Sequence, residues 1–210
     1  MNNFNFIVCF FSLLLITDFH VLANESTEQR ELKNKIHNFS SKNIDTDMST
    51  KWSLTGLYLE KYDDNYTFIK NPKFKMFNSN LITNISSESA IDPTGEMSEI
   101  YLKSNVSVNR NNSSNGNTIK LYTSYAIFYL SKDLIETDRD VTIITSDSTT
   151  TGNGLSANLD LGLITILSDA ERTIKEGDQL QTIKGNQMIY NTRTDESVSY
   201  THLRAHETRG

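Results

Sequence analysis

The clearest spacing for chemistry in this chain of 210 residues is a pair of histidines near its end. His202 and His206, followed by Glu207, would place two imidazoles about one turn apart on a helix, in the manner of a zinc site. Only His20 and His37 precede this pair. Because neither lies in a predicted strand of the folded part, a serine, histidine and aspartate triad or a histidine-based metal cluster cannot be assembled there.

Carboxylate pairs are the second possible source of chemistry, since two acids can carry out glycoside hydrolysis. Asp138 with Asp140, and Asp195 with Glu196, form such pairs, but they lie in predicted turns, where solvated charge is the usual explanation. The glycine-rich stretch 152–154 predicts a hairpin turn, because no phosphate-binding glycine pattern and no helix follows it. We therefore predict that this protein is not an enzyme and has neither a metal nor a cofactor.

The C-terminal histidines belong to a stretch of unusual origin. The segment from Val198 to Thr208, VSYTHLRAHET, resembles the translation of a transposon adapter used in preparing sequencing libraries. We predict that residues 198–210 are not native and that the natural chain continues past about Ser197. The zinc interpretation loses its basis with them.

The opening segment, residues 1–23, has the features of an export signal. An apolar run extends from Phe4 to Ile16, and residues 21–23 are of the type that a signal peptidase reads. A membrane anchor is the alternative, although Asp18 and His20 would then lie in or near the hydrocarbon, and no Lys or Arg precedes the apolar run.

Cysteine content and charge indicate a compartment. Cys9 is the only cysteine and lies in the opening segment, so a processed chain has no disulfide framework, which suits a bacterial periplasm. The net charge is −6 and no basic cluster is present, which argues against a nucleic-acid partner. We place the protein in the periplasm, either soluble or attached to the inner membrane by an uncleaved N-terminal segment.

Residues 24–50 carry many charges and few large apolar side chains, which predicts a linker or a short loose helix. From Lys51 onward, short apolar runs alternate with polar turns at about ten-residue spacing, as in all-β proteins. The strongest alternation predicts four strands between Thr118 and Leu167, with the sequences IKLYTSYAIFYL, LIETD, VTIITSD and GLSANLDLGLITIL. No long segment has a helical period, so we predict an all-β fold.

The order of these strands resembles the LptC family of lipopolysaccharide export proteins. The resemblance rests on KWSLTGLYLEKY, YTFIKNPKFKMF, IYLKSNVSV, IKLYTSYAIFYLSKDLIETDRDVTI and TTGNGLSANLDLGLITIL, in this order. It predicts an LptC-like domain over residues 51–177. Residues 178–197, beginning DQLQTIKGNQMIYNTRTDE, are similar to the opening strands of an LptA-type unit. They predict either the start of a fused unit or an extra turn of the same sheet.

The resemblance implies an open twisted β-jellyroll of consecutive antiparallel strands that takes part in lipopolysaccharide transport. The acyl chains of lipid A would lie in an apolar groove, and partner jellyrolls, including an LptA-type bridge protein, would pair through edge strands. An inner-membrane ABC transporter would supply the energy, since this chain has no phosphate-binding loop.

Alternation along each strand predicts one inward-facing apolar set, and the resemblance implies that this set lines the lipid groove. This set comprises Ile100, Leu102, Val106, Val108, Ile119, Leu121, Tyr125, Ile127, Tyr129, Leu155, Ala157, Leu159, Leu161 and Leu163. For each of these residues an ordinary jellyroll core position is an open alternative. For the whole protein, the alternative is a secreted β-solenoid with a structural or adhesive function and no lipid ligand.

Overall fold

A computed structural model describes residues 30–44, 48–78, 81–112, 116–177, 179–194 and 196–200. In these ranges the chain forms a 14-stranded antiparallel sheet and one short 3-10 turn, Leu130–Lys132, and no α-helix. The strands are β1 Leu32–Ile44, β2 Thr50–Tyr62, β3 Thr67–Lys70, β4 Lys73–Asn78, β5 Leu81–Ser86, β6 Ser89–Asp92, β7 Glu99–Asn112, β8 Thr118–Tyr129, β9 Leu134–Ile144, β10 Ser148–Asn158, β11 Leu163–Glu176, β12 Gln179–Gly185, β13 Gln187–Asn191 and β14 Glu196–Tyr200. The all-β prediction is confirmed.

The two terminal predictions fall largely outside the described residues. The predicted export signal or anchor, residues 1–23, is not among them, nor are residues 201–210 of the predicted adapter translation. Residues 198–200 of that translation lie in β14. Within the described ranges, none of the secondary structure is a helix of the length and apolarity that a membrane crossing requires.

Most of the segment predicted as a linker is instead a strand. β1 pairs antiparallel with β2, from Leu32 opposite Tyr62 to Ile44 opposite Thr50. Along β1 every side chain except that of Phe39 is exposed. The linker prediction was wrong for this stretch, because a strand with no buried face lacks the apolar alternation by which strands are recognised.

The sheet order is β14-β13-β11-β10-β9-β8-β7-β5-β4-β2-β3-β6, with β1 added on β2 and β12 added on β11. The long strand β2 pairs with β4 through residues 52–55 and with β3 through residues 58–61. β7 likewise pairs with β5 through residues 107–112 and with β6 through residues 101–103. Each of these long strands therefore has two halves with different neighbours.

A line of backbone irregularities, which we call the bend line, crosses the sheet between these halves. The residues with positive φ along it are Asn38, Asn71, Ser104, Asn105, Gly154 and Asp169. The register also shifts there, between Lys103 and Val106 where β7 pairs with β8 and between Asn153 and Leu155 where β10 pairs with β9. Bulges of this kind bend a strand and increase its twist, so the bend line divides the sheet into two half-sheets.

The two half-sheets pack face to face. The first half-sheet contains residues 39–44, 50–55, 73–78, 81–86, 106–112, 118–123, 141–144, 148–152, 170–176 and 179–185. The second half-sheet contains residues 32–37, 57–62, 67–70, 89–92, 99–103, 126–129, 134–137, 155–158, 163–168, 187–191 and 196–200. Phe74 of the first meets Phe128 of the second edge to face, with 5.6 Å between ring centroids. In each half-sheet, the strand ends farthest from the bend line form a rim.

Residues after 178 continue the same sheet. β12 pairs with residues 170–176 of β11, and β13 pairs with residues 163–166 of that strand. β14 then pairs with β13. Each half-sheet thus gains strands from this segment, and its assignment to an LptA-type unit stays a prediction.

Candidate functional site

Eight of the predicted groove residues lie on the inner faces of the two half-sheets, and a ninth, Leu159, lies in the turn just past β10. Each has at most 9% of its surface exposed, and all belong to one apolar cluster. They are Ile100, Leu102, Val106, Val108, Ile119, Leu121, Leu155, Ala157 and Leu159. The structure therefore brings them together, whereas their contact with lipid stays a proposal.

Three other predicted groove residues face outward, which corrects the inward set. The register of β8 against β9 shifts between Thr123 and Ile127, so the alternation of β8 changes phase at this bulge. Beyond it Ala126 and Phe128 are fully buried at 0% exposure. The outward-facing residues, all of them half-buried, are Tyr125, Ile127 and Tyr129.

The last two predicted groove residues lie at a turn. The sequence GLSANLDLGLITIL was predicted as one strand, but β10 ends at Asn158 and β11 begins at Leu163. Leu161 lies in the connecting turn and is 54% exposed, and Leu163 is 37% exposed. Asn158, whose Oδ1 accepts a hydrogen bond from the Leu161 amide, and Gly162, with φ 74°, are turn signals that the repeated leucines concealed.

The predicted groove set omits much of the inner face, because its residues come from only part of the sheet. Other fully or almost fully buried apolar residues lie on β2 to β5, β9, β11 and β13. The largest of them are Leu54, Ile69, Phe74, Ile85, Ile135, Ile166 and Met188. Period-two alternation in TFIK and KFKMF was the available signal for Ile69 and Phe74.

The cavities between the described parts of the half-sheets are small. One cavity of about 20 Å³ lies beside Leu121 and Ala157, and another of about 10 Å³ lies beside Ile143 and Ile166. Each has room for about one water molecule. An acyl chain can therefore enter only if the half-sheets move apart.

A larger cavity of about 370 Å³, which we call the mouth pocket, opens between the two rims. The residues that define it here are Lys51, Phe77, Asn78, Arg110, Asp133 and Asp160. Asn78, on the rim of the first half-sheet, donates its Nδ2 hydrogen to Oδ1 of Asp160 on the opposite rim, at 2.8 Å. This hydrogen bond joins the two rims beside the pocket.

Two arginines are buried among the apolar residues of the inner faces. Arg110 is 7% exposed and Arg172 is 5% exposed, and the buried Nε of each has no hydrogen-bond acceptor. The Arg172 guanidinium stacks on the Tyr190 ring, 4.9 Å from its centroid. In the described part of the chain the ion pairs involve neither of these two arginines.

Comparison with known proteins adds one finding. A search of curated proteins finds no match. A family model described as "Lipopolysaccharide-assembly, LptC-related" matches residues 4–175. The matched stretch is well over half of the chain and reaches the penultimate residue of β11.

Proposed function

This chain belongs to the LptC-related family of lipopolysaccharide-assembly proteins, whose role is in periplasmic lipopolysaccharide transport, and we propose that it acts there as a non-enzymatic lipid carrier. It holds the acyl chains of lipid A between its two half-sheets. It receives the lipid on the inner-membrane side from an ABC transporter and passes it toward the outer membrane.

The observation that carries this proposal is the apolar cluster of the inner faces, which extends over both half-sheets and ends at the two rims. The half-sheets are joined through the bend line, so they can separate at the rims without breaking strand pairing. Acyl chains that enter would replace contacts such as that between Phe74 and Phe128 with contacts of the same apolar kind. Burial of each methylene adds about 0.8 kcal/mol, so part of one chain suffices for binding.

Edge strands support the proposed docking of partner jellyrolls. β1 pairs with β2 on one side, and in the described residues no strand pairs with its other side. Such a long free edge offers backbone hydrogen-bond groups to an incoming strand. Lys33, Lys35 and Lys42 keep this edge charged, which opposes unspecific pairing. At the other end of the first half-sheet, β12 offers a second edge, which we assign to an LptA-type partner.

Photocrosslinking tests the carrier function. We expect a photoreactive residue at buried Leu121 or Phe128 to form lipopolysaccharide adducts in cells, because both side chains point between the half-sheets. Their sequence neighbours Tyr122 and Ile127 point to the outer face and serve as matched controls that should form none. If the inward positions never capture lipid while a probe on β1 captures protein, the interior is a closed core and the structural alternative replaces this proposal.

A further inference from the structure

Arg110 occupies an inner-face position where an apolar residue would be expected. It follows Val106 and Val108 in the inward alternation of β7, at the end nearest the rim. It is 7% exposed, and its Nε is buried without an acceptor. Its partners across the strands are Thr83 of β5 and Ile119 of β8, neither of which carries a charge.

An unpaired buried guanidinium is unfavourable in the lipid-free protein. Burial lowers the pKa of Arg110 from its ordinary value, the positive charge of Arg193 lowers it further, and Asp160 opposes these effects. A buried charge without a close partner destabilises a fold, and apolar replacement of such groups is often neutral or stabilising. Among the described residues Arg110 forms no ion pair that would offset this cost.

The mouth pocket gives this cation access to a ligand. Arg110 contributes to its lining together with Lys51, which supplies a second positive charge. Asp160 also lines the pocket, where its Oδ1 accepts from Asn78 and its backbone oxygen accepts from Arg193. Burial raises the pKa of the Asp133 carboxyl, the positive charge of Lys51 lowers it, and the negative charge of Asp160 raises it.

We propose that the mouth pocket binds a phosphate group on the sugar headgroup of the transported lipid, with Arg110 as its main contact and Lys51 as a second. This inference rests on the proposed function, because acyl chains between the half-sheets place the polar end of the lipid at the rims. The guanidinium fork matches phosphate geometry, and its charge-assisted hydrogen bonds are strongest where water is excluded.

The variant Arg110→Met tests this assignment, since it removes the charge and keeps an extended apolar side chain. The probes are lipopolysaccharide and the same lipid after phosphatase treatment, with binding measured by displacement of a fluorescent lipid. We expect the wild-type protein to prefer the phosphorylated lipid by about tenfold or more. Arg110→Met should bind both lipids with the affinity that the wild type has for the dephosphorylated one.

A thermal unfolding series distinguishes this role from a structural one. Lipid-free Arg110→Met should have a higher Tm than the wild type, because an unpaired buried charge is gone. Arg139→Met is the control: Arg139 is exposed and paired with Asp138, so its loss should change neither Tm nor the lipid preference. A lower Tm with unchanged lipid preference would show that Arg110 only supports the fold.

The outcomes separate this inference from the carrier function. If the wild type binds both lipids equally well, the phosphate site is wrong and the carrier function stands. If the wild type binds neither lipid, both fail. A last outcome concerns inorganic phosphate at millimolar concentration. If it raises the Tm of the wild type as much as the lipid does, and leaves the Tm of Arg110→Met unchanged, the pocket is a site for free phosphate. The headgroup assignment is then overturned.

Discussion

Asp92 and Arg110 show two ways in which single charges are buried in this fold. Asp92 is 0% exposed, and its carboxylate accepts hydrogen bonds from the amides of Gly95 at 2.9 Å and Met97 at 2.8 Å, and more weakly from Thr94. These bonds fix the loop between β6 and β7. Arg110 has no comparable set of partners. Asp92 therefore stabilises the fold, whereas the buried charge of Arg110 supports the proposed ligand site.

We predict that Asp92→Ala lowers the free energy of unfolding by about 3 kcal/mol, because several loop amides lose a charged acceptor inside the protein. Denaturant unfolding measures the change. Asp63→Ala is the control, since Asp63 is exposed and its Oδ1 accepts only from the neighbouring amide of Asp64 among the described contacts. Equal losses for the two variants would contradict the capping role of Asp92.

Among the elements, β10 and β11 show how closely strands approach at the bend line. Their register shifts between Thr151 and Asn153, opposite the stretch around Ser168. A Cβ on Gly152 would overlap Cγ2 of Ile166 and lie 2.9 Å from the carbonyl oxygen of Ser168. The glycine is needed here for space, because β11 passes directly over its Cα.

We therefore expect Gly152→Ala to destabilise the protein by about 2 kcal/mol through overpacking. Thr151→Ala, at the exposed neighbouring position, should have a much smaller effect on the same strand. Thermal unfolding of both variants checks the difference. If Gly152→Ala unfolds at the wild-type temperature, β11 can move away from β10 and the bend line is less rigid than its packing indicates.

The whole molecule is two half-sheets that share their strands at the bend line and meet again at the rims. At the mouth pocket, Asn78 and Asp160 are joined by a hydrogen bond of 2.8 Å, although 82 residues separate them in sequence. The cavities of about 10 and 20 Å³ between the described parts of the half-sheets are too small for an acyl chain while the rims stay together. Rim separation is therefore the motion that the carrier function requires.

A reversible lock on the rims tests this requirement. In a Cys9→Ser background, we expect the double variant Asn78→Cys and Asp160→Cys, joined by a short cleavable crosslinker, to lose lipopolysaccharide binding. Cleavage of the crosslink should restore it, because the half-sheets can separate again. The single variants treated with the same reagent control for its effect on one cysteine. Full binding by the crosslinked protein would mean that lipid does not enter between these rims.

Part of the site could be predicted from the sequence because alternation is a local property. A strand places every second side chain on one face, so the inward positions of β7 and of β10 follow from their own residues, as Leu102 and Leu155 show. In β8 the predicted inward positions were wrong beyond Thr123, because a non-local contact changes the alternation there. The bulge after Thr123 depends on how β8 fits against β7 and β9, which the residues of β8 do not state.

The amino-acid sequence by itself determined the all-β class, nine of the buried inward positions and the family, because each depends on local periodicity or on the order of motifs. Tertiary structure alone decided that residues 32–44 form a strand, since an exposed edge is held by the backbone of β2 and not by its own apolar side chains. It also decided that Arg110 is buried. A charge on a strand is shielded from water only when a second layer covers it, and here the bend line brings that layer into place.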